Sequence, residues 1–262
     1  MAELEPQRLA AGVEYDGSLF LGWQTQRQTP TVQPAVEAAL SAVADAPITI
    51  HCAGRTDTGV HALCQVIHFD APVQRPMRAW LLGANTELAE GVALLWVKPV
   101  PSDFHARYSA VSRRYCYRIL NRPVRPALDR QRMAWVRKPL DAPRMHEAAQ
   151  ALLGEHDFSS FRAAGCQSNT AQRRLDAIRV VRQGDQVDIE VEANAFLYHM
   201  VRNIAGSLIA VGLGERPVDE LARLLSVRDR RQAAMTAPPQ GLYFCGVRYP
   251  ESYGLTALTG LS

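Results

Sequence analysis

The spacing of apolar side chains predicts an ordered series of strands and helices in the first half of the chain. Alternating apolar positions indicate strands, and apolar positions three or four residues apart indicate helices. The predicted strands cover residues 8–15, 47–53, 62–70 and 92–100, and the predicted helices cover 31–45 and 76–88. We expect Thr31 to cap the first helix, where Pro34 is tolerated because it lies in the first turn. The predicted order is β-α-β-β-α-β.

The second half of the chain repeats this order loosely. The predicted strands cover 109–121, 133–136, 178–182, 187–193 and 242–249, and the predicted helices cover 141–153, 200–211 and 217–225, the last opening at Pro217. Two split β-α-β units follow, with a boundary near 101–108. The predicted class is α+β: two ferredoxin-like halves joined into a mixed, mainly antiparallel sheet, with helices on one face and a central basic cleft. The predicted subdomains are 1–104 and 105–262.

Composition narrows the class of protein. Hydrophobic residues make up 47% and charged residues 21% of the 262 positions, which is typical of a globular protein. Apolar runs stay shorter than the roughly 18–20 residues that a membrane helix requires. The N-terminal residues lack the apolar core of a signal peptide, and the five cysteines form no C-x-x-C pair. We therefore expect a reduced, cytoplasmic protein without a disulfide framework or a structural zinc site.

Arginine is concentrated in the middle of the chain. Lys98 and Lys138 are the only lysines among 29 basic residues, and nine arginines lie between Arg107 and Arg137 with one acid, Asp129. Because guanidinium groups bind phosphate bidentately and stack on bases, this cluster indicates a nucleic-acid partner. A GC-rich genome would also raise the arginine content, but it explains the clustering poorly.

The most informative segment is 54–61, which reads GRTDTGVH. Glycines bound a short polar loop between two predicted strands. Gly54 and Gly59 allow the positive φ angles and the close backbone approach that a sharp turn or a bound substrate would need. Asp57 can serve as a nucleophile, a base or an electrostatic stabiliser. Arg55, two residues away, would point to the same side on an extended segment. The alternative is an ordinary hairpin in which Asp57 or Thr58 caps its own turn.

Two residues elsewhere are candidate partners of this loop. Arg202 lies at the start of the apolar helix 200–211, where it can pair with a carboxylate or extend to solvent. Tyr115 lies between arginines on the strand 109–121, where it can stack on an unpaired base or be an ordinary strand residue.

Metal and nucleotide cofactors are not expected. The candidate ligands have spacings that match no zinc pattern: His51, His61, His68, Cys52 and Cys64. Neither a P-loop nor a dinucleotide-binding glycine motif is present.

These motifs together resemble the tRNA pseudouridine synthase A family. The resemblance runs in order from about Leu9 to Pro250 and includes 15–17 (YDG), 20–24 (FLGWQ), 31–33 (TVQ), 54–62 (GRTDTGVHA), 104–110 (FHARYSA), 113–117 (RRYCY), 157–161 (DFSSF), 196–203 (FLYHMVRN) and 237–242 (APPQGL). Several such segments in the same order are highly specific. The tail after Pro250 matches nothing in the family and is expected to be disordered.

The resemblance implies isomerisation of uridine to pseudouridine at positions 38, 39 and 40 of the tRNA anticodon arm, by a cytoplasmic homodimer without cofactor or metal. It makes Asp57 the catalytic aspartate, Arg202 its partner, Tyr115 the base-stacking residue, Leu242 an apolar lid and Arg55 the base-flipping residue. The implied tRNA contacts are Phe104, His105, Ala106, Arg107, Tyr108, Cys166, Gln167, Ser168, Asn169 and Thr170. Asn169 departs from the family pattern, which has a basic residue at this position.

The residues alone do not decide how Asp57 acts in the reaction, and they are compatible with two other functions. Asp57 could attack C1′, add to C6 or remove a ribose proton. A tRNA-binding module without catalysis would use the same arginines, although Asp57 would then have no purpose. A metal-dependent phosphoesterase would use Asp57 with the nearby histidines.

Overall fold

The chain folds as two compact units. The computed structural model describes residues 7–26 and 30–255, which contain ten strands and five α-helices. One unit combines Met1–Val111 with Phe244–Ser262, and the other is Ser112–Tyr243. These units differ from the predicted division after residue 104, because the last strand joins the first unit. Within the described ranges, every helix is too short or too polar to span a lipid bilayer.

The first unit is a sheet with two helices. Its elements are β1 (Gln7–Tyr15), α1 (Val32–Ala44), β2 (His51–Cys52), β3 (His61–Ala71), α2 (Met77–Glu87), β4 (Val92–Pro99) and β10 (Leu242–Arg248). The first two residues of β10 belong to the second unit, and the rest of the strand, from Phe244, belongs to the first. The strand order is β4-β1-β3-β10, and β2 pairs with β3. The pairs of β1 with β3 and with β4 are antiparallel.

The core of the first unit lies between its sheet and its helices. The apolar positions of α1 are buried at helical spacing, including Val36 and Leu40. Trp80 of α2 packs edge-on against Phe69 of β3, with ring centroids 5.4 Å apart. Burial of these faces is the main force that holds the helices on the sheet.

The second unit contains the remaining strands and three α-helices. They are β5 (Ser112–Asn121), β6 (Ala134–Val136), α3 (Ala142–Ala149), β7 (Gly154–Asp157), β8 (Gln172–Gln183), β9 (Gln186–Ala193), α4 (Met200–Gly212) and α5 (Glu220–Val227). The strand order is β5-β9-β8-β7, and β6 is parallel to β5 while the other described pairs are antiparallel. The predicted α+β class with mixed, mainly antiparallel pairing is confirmed. The central basic cleft stays a prediction.

Several predicted boundaries are wrong for identifiable reasons. The prediction missed β7, because Gly154–Asp157 has no apolar alternation and is held by pairing with β8. The strand predicted over 178–182 begins earlier, at Gln172, where Arg173 occupies an inward position. The strand predicted over 47–53 is reduced to His51–Cys52.

Two predicted helix starts also need correction. Thr31 is the N-terminal flanking residue of α1, but its side chain makes no capping hydrogen bond. Pro217 does not open α5; instead its carbonyl accepts the amide of Glu220 in a turn that precedes the helix.

The described part of the tail is ordered, contrary to the prediction. A short 3-10 turn covers Glu251–Tyr253, and the ring of Tyr253 lies 5.1 Å from that of Phe104. Leu255 is fully buried. The remaining tail, 256–262, lies outside the described residues.

Candidate active-site loop and its flanking segments

The loop that carries Asp57 connects β2 to β3 in the first unit. A backbone hydrogen bond closes its turn, with the amide of Val60 donating to the carbonyl of Asp57 at 3.1 Å. Of the two glycines that bound the loop, Gly59 adopts a positive φ of +77° and Gly54 does not. Side-chain exposure alternates before the turn: Arg55 is exposed, Thr56 is buried and Asp57 is half-buried. Arg55 and Asp57 therefore lie on the side of the segment opposite to Thr56.

The loop rests on the two segments that precede α1. The Tyr15 hydroxyl lies 2.7 Å from the Thr56 hydroxyl, and the Trp23 amide donates to the Thr56 carbonyl at 3.0 Å. A Cβ on Gly17 would lie 2.0 Å from the carbonyl oxygen of Val60, so only glycine fits at position 17. The motifs 15–17, 20–24 and 54–62 thus contact one another, which no local sequence pattern indicates.

Sequence analysis missed the role of Gln65. This glutamine is 0% exposed, and its amide bonds the backbone of Gly54 at the start of the loop. A polar residue at an inward position of the apolar strand β3 was the available signal, because buried amides require partners.

The segment 104–108 also lies in the first unit. Phe104 and Ala106 are fully buried and anchor the segment, and Tyr249 donates its hydroxyl hydrogen to the Ala106 carbonyl at 2.7 Å. Arg107 and Tyr108 are exposed, Tyr108 by 77%. The Arg107 guanidinium carbon lies 5.7 Å from the Tyr108 ring centroid. The surface of this segment therefore offers a cation beside an aromatic face.

His105 of this segment belongs to a cluster of three histidine rings. The ring of His68 lies 5.0 Å from that of His51 and 4.5 Å from that of His105. Burial, followed by the charges of the neighbouring histidines, lowers the pKa of His68 to about 3. Its Nδ1 atom accepts the amide of Ala106 at 3.1 Å, which suits the neutral ring.

The thiols considered as metal ligands remain protonated. Burial raises the pKa of Cys52 to about 12 and that of Cys64 to about 11. Among residues 7–26 and 30–255, no group of three histidine, cysteine or acidic side chains has the arrangement of a metal site.

Tyr115 and Tyr117 share one face of β5 in the second unit. Tyr115 is half-buried, and its ring meets Phe196 edge-on with centroids 5.0 Å apart. Tyr117 is fully buried, its hydroxyl donates to the Pro238 carbonyl at 2.8 Å, and burial raises its pKa. On the opposite face, Arg118 stacks on the ring of Tyr243 at 4.2 Å. Tyr115 is thus the tyrosine of this face with an accessible ring.

Arg202 lies in the first turn of α4 and is half-buried. Its Nε donates to the carbonyl of Ala237 at 2.8 Å, and its own carbonyl accepts the Ala237 amide at 3.1 Å. These bonds attach the segment 237–242, which ends at the buried Leu242, to the helix. The Arg202 side chain is therefore held against the segment 237–242 rather than extended into solvent.

Two arginines organise the segment 166–170. Arg162 donates to the carbonyls of Cys166 at 2.9 Å and Ser168 at 2.7 Å. Arg173 donates to the Thr170 carbonyl at 3.1 Å. Burial opposes ionisation of Cys166, but amide donors and Arg162 outweigh it and lower the pKa of the thiol. Gln167, Asn169 and Thr170 are exposed, so the segment presents polar side chains to solvent.

Comparison with known proteins identifies the family. A family profile described as tRNA pseudouridine synthase matches residues 11–109 and 148–250. A tRNA pseudouridine synthase A of Xanthomonas campestris pv. campestris (strain B100) is 58% identical over 252 residues, which is 95% of this chain and 98% of the relative. One from Stenotrophomonas maltophilia (strain K279a) is 57% identical over 251 residues, with the same coverage. The chain belongs to the tRNA pseudouridine synthase family, whose members are isomerases of tRNA uridine.

A weaker likeness extends to a solved structure. The archaeal box H/ACA sRNP Nop10–Cbf5 complex matches with a TM-score of 0.35 and 12% identity, over 77% of this chain. This chain spans 44% of the length of the matched one.

Proposed function

We propose that this protein isomerises uridine to pseudouridine at positions 38, 39 and 40 of the tRNA anticodon arm, with Asp57 as the catalytic carboxylate. The observation that carries the proposal is the placement of Asp57. It lies in a turn supported by Tyr15, Gly17 and Trp23, which belong to the same segments as the family resemblance. A carboxylate on a loop with several backbone supports is prepared for one orientation.

The reaction conserves the atoms of the uracil. The C1′–N1 bond breaks, the base turns, C1′ bonds to C5, the C5 proton is released and N1 gains a proton. Asp57 promotes this by attacking C1′, by adding to C6 or by removing a ribose proton. The uracil is transferred within one nucleotide, without electron transfer and without a second molecule as donor or acceptor, so we propose that the enzyme works without a cofactor or metal ion.

Arg202, Tyr115 and Leu242 complete the proposed machinery. Arg202 keeps the Asp57 carboxylate ionised when the substrate excludes water. Tyr115 stacks on the detached uracil, which its accessible ring supports. Leu242 covers the base, as expected for a buried apolar residue that follows the segment attached to α4.

The remaining residues hold the tRNA. A base in a stem must be flipped out, which costs a few kcal/mol, and Arg55 offsets part of this cost by occupying the vacated position. Arg107 contacts phosphate and Tyr108 offers a stacking face, both supported by their exposure. The segment 166–170 contacts the arm through its backbone and exposed polar groups. Recognition by shape and phosphate explains how three adjacent sites share one pocket.

Release of tritium from tRNA labelled at C5 of uridine tests the activity. We expect release by the natural protein, and pseudouridine at the three positions when the product is mapped. Asp57→Asn is expected to abolish release while tRNA affinity stays within several-fold. Residual turnover above a few per cent would refute the catalytic role, and binding without release by the natural protein would indicate a tRNA-binding module.

The assembly and location are also proposals. We propose a homodimer in the cytoplasm, where tRNA is available as substrate. Light scattering at micromolar concentration is expected to give twice the 29.0 kDa mass of the chain. Activity is expected to survive EDTA; its loss, with metal in the purified protein, would favour a metal-dependent phosphoesterase.

A further inference from the structure

The amide side chain of Gln65 makes the hydrogen bonds that a neighbouring strand would otherwise make with the backbone at the start of the catalytic loop. Gln65 lies on β3 opposite Val13 of β1 and is 0% exposed. Its Nε2 donates to the carbonyl of Gly54, and its Oε1 accepts the amide of the same residue at 3.3 Å. One amide side chain thus satisfies both backbone groups of Gly54, just beyond the end of the β2–β3 pairing at Cys52. The position of Gly54 depends on this pair of hydrogen bonds.

A second buried contact holds the loop two residues later. The hydroxyls of Tyr15 and Thr56 lie 2.7 Å apart, at side chains that are 3% and 8% exposed. Gln65 also interacts with the Tyr15 hydroxyl, and burial raises the pKa of Tyr15, which keeps the hydroxyl protonated. Gln65, Tyr15 and Thr56 therefore form one buried polar network. Such networks define geometry strongly, because each unpaired member would be costly.

The network acts on the residues that face the other side of the segment. The buried network bonds Gly54 and Thr56, and the side chains of Arg55 and Asp57 point to the opposite side of the segment. Because the network fixes Gly54 and Thr56, it also fixes the direction of the Arg55 and Asp57 side chains. Reacting groups must be placed within a fraction of an ångström, and a misplacement of about 1 Å can cost on the order of 100-fold in rate.

We propose that Gln65, through its paired hydrogen bonds to Gly54 and its contact with Tyr15, is a positioning residue for Asp57 in the isomerisation. The inference rests on the proposed function of Asp57. It assigns no contact of Gln65 with the substrate. Its loss is therefore expected to lower kcat and to leave the KM for tRNA nearly unchanged.

The chain contains a matched control for this test. Asn85 of α2 makes the same pair of bonds to Leu94: its Nδ2 donates to the Leu94 carbonyl at 2.9 Å, and its Oδ1 accepts the Leu94 amide at 2.9 Å. Asn85 belongs to the same unit but lies outside the proposed machinery. Asn85→Leu and Gln65→Met each remove one such pair. We expect Gln65→Met to lower kcat by about 10–100-fold with KM within about threefold, and Asn85→Leu to leave kcat per folded molecule unchanged.

The conservative variant Gln65→Glu adds a measurement, the pH dependence of kcat, that would not change if Gln65 only stabilised the fold. In Gln65→Glu, a protonated carboxyl group can donate to the Gly54 carbonyl and accept its amide, whereas a carboxylate can only accept. Burial favours the protonated form. The kcat of Gln65→Glu relative to the natural protein is therefore expected to rise as the pH falls, while that of Gln65→Met stays flat.

Each outcome decides the inference. It is overturned if Gln65→Met keeps natural kcat, if Asn85→Leu loses as much, or if Gln65→Glu shows no rescue at low pH. Should Gln65→Met fail to fold, Tyr15→Phe replaces it, with an expected loss of kcat of about 3–10-fold at unchanged KM. If Asp57→Asn remains active, the proposed function fails instead, whatever the Gln65 variants do.

Discussion

The contact between Gly17 and the catalytic loop gives a prediction with a calculable geometry. A Cβ at position 17 would lie 2.0 Å from the Val60 carbonyl oxygen, whereas such contacts are essentially never shorter than 3.0 Å. Gly17→Ala therefore requires the Val60 backbone to move by about 1 Å, the difference between those distances. Val60 is bonded through its amide to Asp57, so the turn that carries the carboxylate must move with it.

Two effects of different size follow from this displacement. Overpacking of a buried contact typically costs about 1–3 kcal/mol, which lowers Tm by roughly 2–12 °C in a protein of this size. A shift of the same length in a catalytic group costs on the order of 100-fold in rate. We therefore expect a folded Gly17→Ala protein whose kcat/KM falls by about 10–100-fold.

Tritium release per folded molecule and a thermal unfolding curve measure the two effects. Gly83→Ala in α2 is the control, because its Cβ meets a side-chain methyl group, Val43 Cγ2 at 3.0 Å, rather than the backbone of the catalytic loop. That variant is expected to keep its activity and to change stability by less than about 1 kcal/mol. Natural kcat/KM and Tm in Gly17→Ala would refute the close approach.

Three further predictions concern binding, stability and pH. Arg107→Ala is expected to weaken tRNA binding and to reduce the slope of log affinity against log salt by about one, measured by filter binding; an unchanged slope contradicts phosphate contact. Leu40→Ala removes a fully buried side chain of α1 and is expected to cost about 2–5 kcal/mol in urea unfolding. A loss below about 1 kcal/mol would contradict the burial.

The pH prediction follows from His68. Because its folded pKa lies near 3 and its ordinary value is 6.5, the unfolded chain binds the proton first. Stability is therefore expected to fall as the pH drops from 6.5 towards 3, by up to about 1.4 kcal/mol per pH unit from this group. His68→Gln should flatten this dependence, and an equal slope would contradict the shift.

The fold was predictable where local pattern and tertiary burial agree. The helix α1 was expected because its apolar positions recur at helical spacing, and the structure buries that same face. The strand β7 was not, because Gly154–Asp157 owes its conformation to hydrogen bonds with β8 rather than to its own side chains. The position of the last strand was not predictable either, since pairing between distant segments leaves no local signal.

The candidate site was also predictable only where the signal is local. The polar, glycine-bounded loop around Asp57 could be predicted from residue types, because few structural roles need that combination. Its supports could not, since Gln65 and Tyr15 act through backbone and hydroxyl contacts across 11 and 41 residues of sequence. Periodicity assigns a residue to a face, but it does not identify the group that the residue meets there.

The membership of the C-terminal strand in the first unit has a consequence for biosynthesis. Phe104 is covered by Tyr249 and Tyr253, and Tyr249 bonds a carbonyl 143 residues earlier. During synthesis on the ribosome, the core of the first unit therefore cannot close until the residues that follow Phe244 have been made. A nascent chain that stops before Phe244 would leave Phe104, in the unit that carries Asp57, without this cover and accessible to chaperones and proteases.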